Sequence, residues 1–261
     1  MSDIDRNRLS YWFPYIADAL PADRYPRTAI IIHPAGYDVL DMLDGVDVPG
    51  TAEFLDDLRV AAASIGGYPV FWRSDLSAAK HDWEDTCFVE SPDDFRRIGI
   101  FIDNLGATDS LGGIDVWAVR ELLPVLNPIV TTYRGLPIGR ERRYHVRDGE
   151  IIEHFPYWPV RAITDTSRLG APLKAIGRIS HESDDEVADL SAMASQVGAA
   201  IGGEWSVDFM ETARGWVCID MAQWDQSWRP SSGDRTDWAR TLMEEASLFD
   251  LDVAPKGEQS S

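Results

Sequence analysis

The segment 205–220, WSVDFMETARGWVCID, constrains the fold more than any other part of the chain. Two β-rich arms flank a polar turn over 211–215, the pattern of an antiparallel hairpin. Side chains alternate across a strand, so a register pairing Asp208 with Cys218 places Asp208 and Asp220 on one sheet face. They are then diagonal neighbours, about 7 to 8 Å apart at Cα, and a slip of one residue separates them. Two such carboxylates can hold a hard cation, and magnesium typically takes one or two carboxylates together with phosphate oxygens. The plainer reading of the same residues is a solvated acidic face. Bringing like charges together also implies that neutralising either Asp leaves stability equal or raises it.

Charge limits the partners. With 24 basic and 44 acidic residues the net charge is −20, which repels nucleic-acid backbones and anionic membrane surfaces at long range. Neither is expected as a partner. A nucleotide stays compatible, because a few Arg or Lys side chains and a metal ion act locally in a cleft. Cys87 and Cys218 are the only cysteines, and neither has His or Cys at ligand spacing, so no disulfide framework or zinc site is expected. A reduced cytoplasm fits that usage. The first 20 residues lack the basic start and apolar core of a signal peptide, and no apolar run approaches the roughly 20 residues that span a bilayer. The expectation is a soluble, untargeted chain, whose 261 residues, 44% hydrophobic, bury one large domain or two small lobes.

After a short helical lead-in, the spacing predicts strands at 27–34 and 69–75, with a helix over 51–66 between them capped by Thr51 and stopped by Gly66. A helix with Ser91 as N-cap and Pro92 at its first position follows. DVWAVRELL is a further strand, with a lobe boundary near Glu121, and the Pro- and Gly-rich stretch 124–139 reads as a loop. Asp148-Gly149 supplies a type I′ turn between two β-rich arms. Ser183 and Glu186 stand at capping-box spacing before a helix closed by Gly202-Gly203. The expected division is residues 1–120, 121–252 and a flexible tail, 253–261. Helices interleaved with hairpins make this α+β with mostly antiparallel sheets, and no GxGxxG or GxxxxGK[ST] motif supports a Rossmann or P-loop site.

Two basic segments are candidates for phosphate chemistry. FWRSDLSAAKHDW gathers Arg73, Ser77, Lys80 and His81, with small residues Ala78 and Ala79 that let backbone amides approach an anion. RERRYHVRDG places Arg143, His145 and Arg147 on one strand face and Arg142 and Tyr144 on the other. An exposed polar loop and a charge-protected edge strand are the plainer readings. His145 suits proton transfer, although a single strand His is more often structural. Tyr157 and Trp158 among prolines offer a stacking platform or simple core packing.

Taken in order, these segments resemble the ATP-grasp superfamily. RSDLSAAKHDW and RERRYHVRDGEI are similar to segments of the eukaryotic cell-cycle ATP-grasp assembly factor of translation initiation factor two. HDW, PYWP and IDMA resemble the small ATP-grasp proteins of phages and actinobacteria. The likeness covers roughly residues 69–228. It implies two lobes with mostly antiparallel sheets enclosing a nucleotide cleft, and ATP and Mg²⁺ as cofactors. Arg73, Ser77, Ala78, Lys80 and Arg143 would then bind phosphates, and backbone groups at Glu121 and Leu122 the adenine. Lys80 and Arg143 would serve catalysis, and Asp208 and Asp220 the metal. Ala222 departs from the family's pattern, which has Asn there as a further metal ligand, and Gln223 or Ser227 is the candidate replacement. The implied activity is that of an ATP-dependent ligase joining a small-molecule or peptide carboxylate to an amine. The alternatives are a non-catalytic ATP-binding assembly protein and a kinase.

Overall fold

The computed structural model describes residues 5–32, 49–76, 80, 83–95, 116–130, 136–159 and 177–235. The elements within them are α1 (Leu9–Ala19), β1 (Thr28–Ile32), α2 (Thr51–Ser64), β2 (Val70–Ser74), α3 (Trp83–Thr86), β3 (Phe88–Val89), β4 (Val116–Glu121), β5 (Ile129–Val130), β6 (Pro137–Ile138), β7 (Glu141–Arg147), β8 (Glu150–Pro156), α4 (Asp184–Ile201), β9 (Glu204–Thr212) and β10 (Gly215–Gln223). They build two four-stranded sheets, ordered β1-β4-β2-β3 and β10-β9-β7-β8, and a two-stranded ribbon of β5 and β6. Every pairing is antiparallel. The ribbon occupies the stretch expected to be loop, because Ile129 and Val130 pair with Ile138 and Pro137.

The second sheet folds as its sequence dictates. Asp148 and Gly149 both take positive φ, 49° and 86°, as a type I′ turn requires, and close β7 onto β8. Along β7 the side chains alternate. Tyr144 and Val146 enter a core with Trp205, Val207 and Phe209 of β9, against Leu190, Ala194 and Val197 of α4 and Trp12 of α1. Each large apolar side chain buried there contributes roughly 1.5 to 3 kcal/mol. Arg143, His145 and Arg147 face the other way, opposite Asp208, Ser206 and Glu204.

At α4 the expected capping box is present in both directions between Ser183 and Glu186, and Gly202 ends the helix. At α2 the cap differs. Gly50 at φ 93° is the N-cap and Thr51 lies inside the helix, because a glycine reaches the left-handed region without a Cβ penalty. That helix covers the first sheet, packing Phe54 and Leu58 on Trp72, Trp117 and Val119. Ser91 donates to Asp94 in a turn, and the expected helix beyond it, from Arg96, lies outside the described residues, as do Ser77, Ala78, His81 and the tail. Among the described residues no helix is long and apolar enough to cross a membrane.

Candidate functional site

The acidic hairpin has a different register from the expected one. Starting from its turn, Thr212 pairs with Gly215 and Phe209 with Cys218. Carried on without interruption, that register would set Asp208 against Ile219 and turn Asp220 to the core face. A β-bulge at Ile219 intervenes, so Asp220 stands directly opposite Asp208. Bulges of this kind re-aim side chains next to functional sites. The two acids therefore share a face as direct cross-strand partners and not as diagonal neighbours. Cys218 and Met221, three positions apart, both enter the core as a result.

Neither acid stands alone. Arg143 donates to both oxygens of Asp208, Nε to Oδ1 at 2.7 Å and Nη2 to Oδ2 at 2.6 Å, and the pair is almost fully buried. Burial opposes the charge on Arg143, and the attraction of Asp208 outweighs it, so the guanidinium holds its proton more tightly than usual. Asp220 accepts from Arg73 Nη1 at 3.0 Å through Oδ1. Burial disfavours ionised Asp220, yet Arg73, Lys80 and Arg120 together hold its carboxyl below the ordinary value.

Between the sheets lies a cleft with a cavity volume of about 130 Å³. One wall is Phe71 and Arg73 of β2 with Arg120 and Glu121 of β4, continued by Leu122 and Leu123. The opposite wall is Met210 of β9 with Ile219 and Asp220 of β10. Lys80, Glu141 and Trp158 close one end. Lys80 Nζ donates to Tyr157 Oη at 3.0 Å and sits 4.5 Å from the centre of that ring. Burial works against its charge, and Tyr157, Glu141 and Asp220 more than offset this. Burial pushes the Glu141 carboxyl up to about 7, against the pull of Lys80 and the hydrogen bond from the Trp158 indole.

Arg73, Lys80, Glu121, Leu122 and Asp220, each expected at the site from sequence, thus line one cleft. Arg143 and Asp208 adjoin it without lining it. Glu121 contributes differently from the expectation that its backbone is open to a ligand: its N–H donates to Arg27 O, and its carboxylate accepts from Arg27 and Arg214. His145 stacks on Trp224 at 3.7 Å and bonds Glu204 at 2.6 Å, a structural role. Asp75 is also structural: fully buried, it accepts from the backbone N–H and hydroxyl of Ser10 at the start of α1.

Arg120 is the residue that sequence reasoning missed. It is 5% exposed. Nε donates to Thr28 Oγ1 and Nη1 to Ile219 O, while Nη2 is buried with no hydrogen-bond partner among the described residues and the Phe13 ring lies 6.0 Å from the guanidinium carbon. Burial, then the neighbouring Arg73, lowers its affinity for its proton to a pKa of about 10. An arginine directly following the apolar run VWAV within one strand was the available clue, since a buried charge is rarely found without a partner.

No family model matches the sequence, and no curated protein does. The structure matches 161 solved chains. C-terminally truncated Cdc123 from Schizosaccharomyces pombe is similar over 98% of this chain and 93% of its own, at a TM-score of 0.53 and 13% identity. A RimK domain ATP-grasp protein from Sphaerobacter thermophilus is similar over 92% and 67%, at 0.49 and 18%. D-alanine–D-alanine ligase from Bacillus anthracis is similar over 95% and 69%, at 0.45 and 10%. The chain shares the fold of Cdc123. At these identities the likeness extends to the fold alone.

The cleft has features that a nucleotide and a hard cation need. The cleft as a whole has room for about ten waters at 10 to 15 Å³ each. Arg120 lines its wall. Asp220 Oδ2 makes no hydrogen bond among the described residues and is available to a cation. Near Ala222, Gln223 is engaged with Asn7 through its backbone N–H and side chain. Ser227 Oγ lies on the Asp208 face, bonded to Ser206 Oγ at 2.7 Å.

Proposed function

We propose that the cleft binds ATP with magnesium, and that the chain is an ATP-dependent carboxylate–amine ligase. The observation that carries this reading is the change of character along the cleft. Phe71, Leu123 and Met210 make an apolar slot, and the same cleft gathers Arg73, Lys80 and Arg120 around Asp220, with Glu121 and Glu141 also on its lining. In a chain of charge −20, three cations collected in one cleft mark a place where an anion can bind. The base would occupy the slot beside Glu121 and Leu122, with Arg73 and Lys80 on the phosphates. Asp220, with Asp208 opposite, would hold the cation, which when bound neutralises charge on the phosphates. The lobes on this reading are residues 1–120 and 121–252.

The chemistry this arrangement serves is phosphoryl transfer, in which fixed charges stabilise the transferred group. A carboxylate oxygen of a small molecule or peptide attacks the terminal phosphorus and ADP leaves. An amine then attacks the carbonyl carbon of the acylphosphate and inorganic phosphate leaves. Lys80 orients the transferred group, and Arg143 acts from behind Asp208. Calorimetric titration with ATP, with and without magnesium, tests the binding step, and ADP release on adding a carboxylate and an amine tests turnover. Absence of any nucleotide binding would sink the proposal.

One observation favours a second reading, an ATP-binding protein without turnover. Both oxygens of Asp208 are spent on Arg143, and position 222 offers only a methyl group, so the cation site is poorer in ligands. ATP binding without ADP release in the presence of any acceptor pair would decide for that reading.

A further inference from the structure

Tyr157 has no part in the chemistry above, yet two cations of the site region meet on its ring. Lys80 Nζ donates to Tyr157 Oη at 3.0 Å and lies 4.5 Å from the ring centre. The guanidinium carbon of Arg143 lies 4.7 Å from the same centre. A cation within about 6 Å of an aromatic centroid is attracted by the ring, so both charges favour the ring where it stands. Its surroundings fix it further. The Tyr157 N–H donates to Glu141 O at 3.0 Å, and Pro156 and Pro159 stiffen the backbone on either side. Trp158 and Trp228 pack beside it, with ring centroids 5.0 and 6.2 Å away. Arg143 in turn is held by two hydrogen bonds to Asp208 and donates to Trp228 O at 2.9 Å.

Lysine carries its charge on a long flexible stem and has three N–H donors. A ligand that fixes such a side chain bears the loss of its rotamer freedom. Here the fold has already taken up that loss: one donor is spent on a phenol held in place, and Lys80, half-buried, lines the cleft. We propose that Tyr157 is a positioning residue whose hydroxyl holds the Lys80 ammonium at the closed end of the cleft, so that the phosphates of a bound nucleotide meet a cation already oriented. The same ring contacts Arg143, which holds Asp208, so the place of Lys80 is set relative to the acidic hairpin of the second sheet. This rests on the nucleotide reading above and adds to it a residue that acts through Lys80 and not on the ligand.

The experiment compares ATP with adenosine as competitors of a fluorescent ATP analogue on the full chain, in the wild type, Tyr157→Phe, Lys80→Met and the double variant. Tyr157→Phe keeps the ring and removes only the hydroxyl. It is expected to weaken ATP on the order of 10-fold, with adenosine held within about twofold, and to have no further effect in the Lys80→Met background. A ligand-free measurement reads the tether directly. Reductive methylation followed by mass spectrometry should modify Lys80 several-fold faster in Tyr157→Phe than in the wild type, with the other two lysines, Lys174 and Lys256, as internal references. ATP and adenosine weakening in parallel, or the same loss of ATP affinity with Lys80 already replaced, would reveal a purely structural role and overturn the proposal. Unchanged or tighter ATP binding in Tyr157→Phe would overturn it as well, the tighter case by showing that the phenol competes with the ligand for Lys80. So would an unchanged methylation rate at Lys80. Failure of the wild type to bind the ATP analogue at all is the distinct result that removes the nucleotide reading, and this inference with it.

Discussion

The two four-stranded sheets are equal in strand number and opposite in how they spend their charges. In the second sheet, Arg143 and Asp208 are cross-strand partners that neutralise each other within the sheet, and His145 is closed off by Glu204 and Trp224. In the first sheet, Arg73 and Arg120 find their partners on the other side of the cleft, at Asp220 and Ile219. The second sheet is thus a self-satisfied block. The first holds its cations over a seam, and a ligand entering the seam meets charges not fully committed elsewhere. A pair inside a sheet should therefore govern stability, and a pair across the seam should govern binding.

Breaking the inner pair is the severest test. Arg143→Ala leaves Asp208 buried and unpaired, and should cost about 3 to 5 kcal/mol in chemical denaturation. Asp208→Asn should also destabilise. The second outcome reverses what sequence alone implies, namely that removing one of two facing carboxylates relieves repulsion. The reversal has a physical cause: each Asp is hydrogen-bonded to an arginine, Asp208 to Arg143 and Asp220 to Arg73. A loss of under about 1 kcal/mol for Arg143→Ala would mean that the sheet does not depend on this pair.

Across the seam the balance should invert. Arg73→Ala removes the partner of Asp220, whose side chain is 35% exposed, so solvent screening keeps the stability cost to about 1 kcal/mol. Nucleotide affinity should fall by about 1.5 to 3 kcal/mol, the worth of a charge-assisted hydrogen bond. Equal effects on stability and on affinity, read by denaturation and calorimetry on the same preparation, would erase the distinction between the sheets.

Glu141 adds a pH dependence at the end of the cleft. Its folded carboxyl is raised to about 7 from an ordinary 4.5, so its contribution is fully present below about pH 4.5 and is lost as pH rises through 7. From pH 5 to pH 8 the wild type should lose on the order of 2 kcal/mol relative to Glu141→Gln, which does not titrate. Parallel stability curves for the two proteins across that range would show that Glu141 is not held in the folded state as described.

What was legible in the sequence follows the same division. The hairpins announced themselves, because Asp148-Gly149 and the alternation of β7 are local features whose partners lie a few residues away. The capping box of α4 was equally plain. The cleft was legible only in part. Arg73, Lys80, Glu121, Leu122 and Asp220 were found, but Phe71, Arg120 and Met210 were not, since nothing in the strand FWRS or in the run VWAVRE says which residue meets a strand 99 positions away. The bulge at Ile219 was also invisible. The turn and the alternation of arms leave the register open by one residue, and the choice is made by Arg120 and by the demand that Cys218 and Met221 both reach the core.

The smallest effect is expected on the face away from the cleft. Ser183 Oγ accepts from Glu186 N at 3.3 Å, and Glu186 Oε2 accepts from Ser183 N at 2.9 Å. Glu186 also takes both terminal nitrogens of Arg140 at 2.6 Å. Hydrogen bonding from Arg140 is the main reason its carboxyl is held down at about 2. Ser183→Ala removes one side-chain cap and should cost about 1 kcal/mol. Glu186→Gln should differ most from the wild type above about pH 4.5 and converge on it as pH falls toward 2, because the depressed carboxyl contributes stability that is lost over that range. Neither change should alter nucleotide affinity, because α4 packs on the core face of the second sheet and the cleft opens on the other. A loss of ATP affinity in Ser183→Ala, with the fold intact by circular dichroism, would show that the two faces of this sheet are energetically coupled, and the division between a stabilising block and a binding seam would fail at its most conservative point.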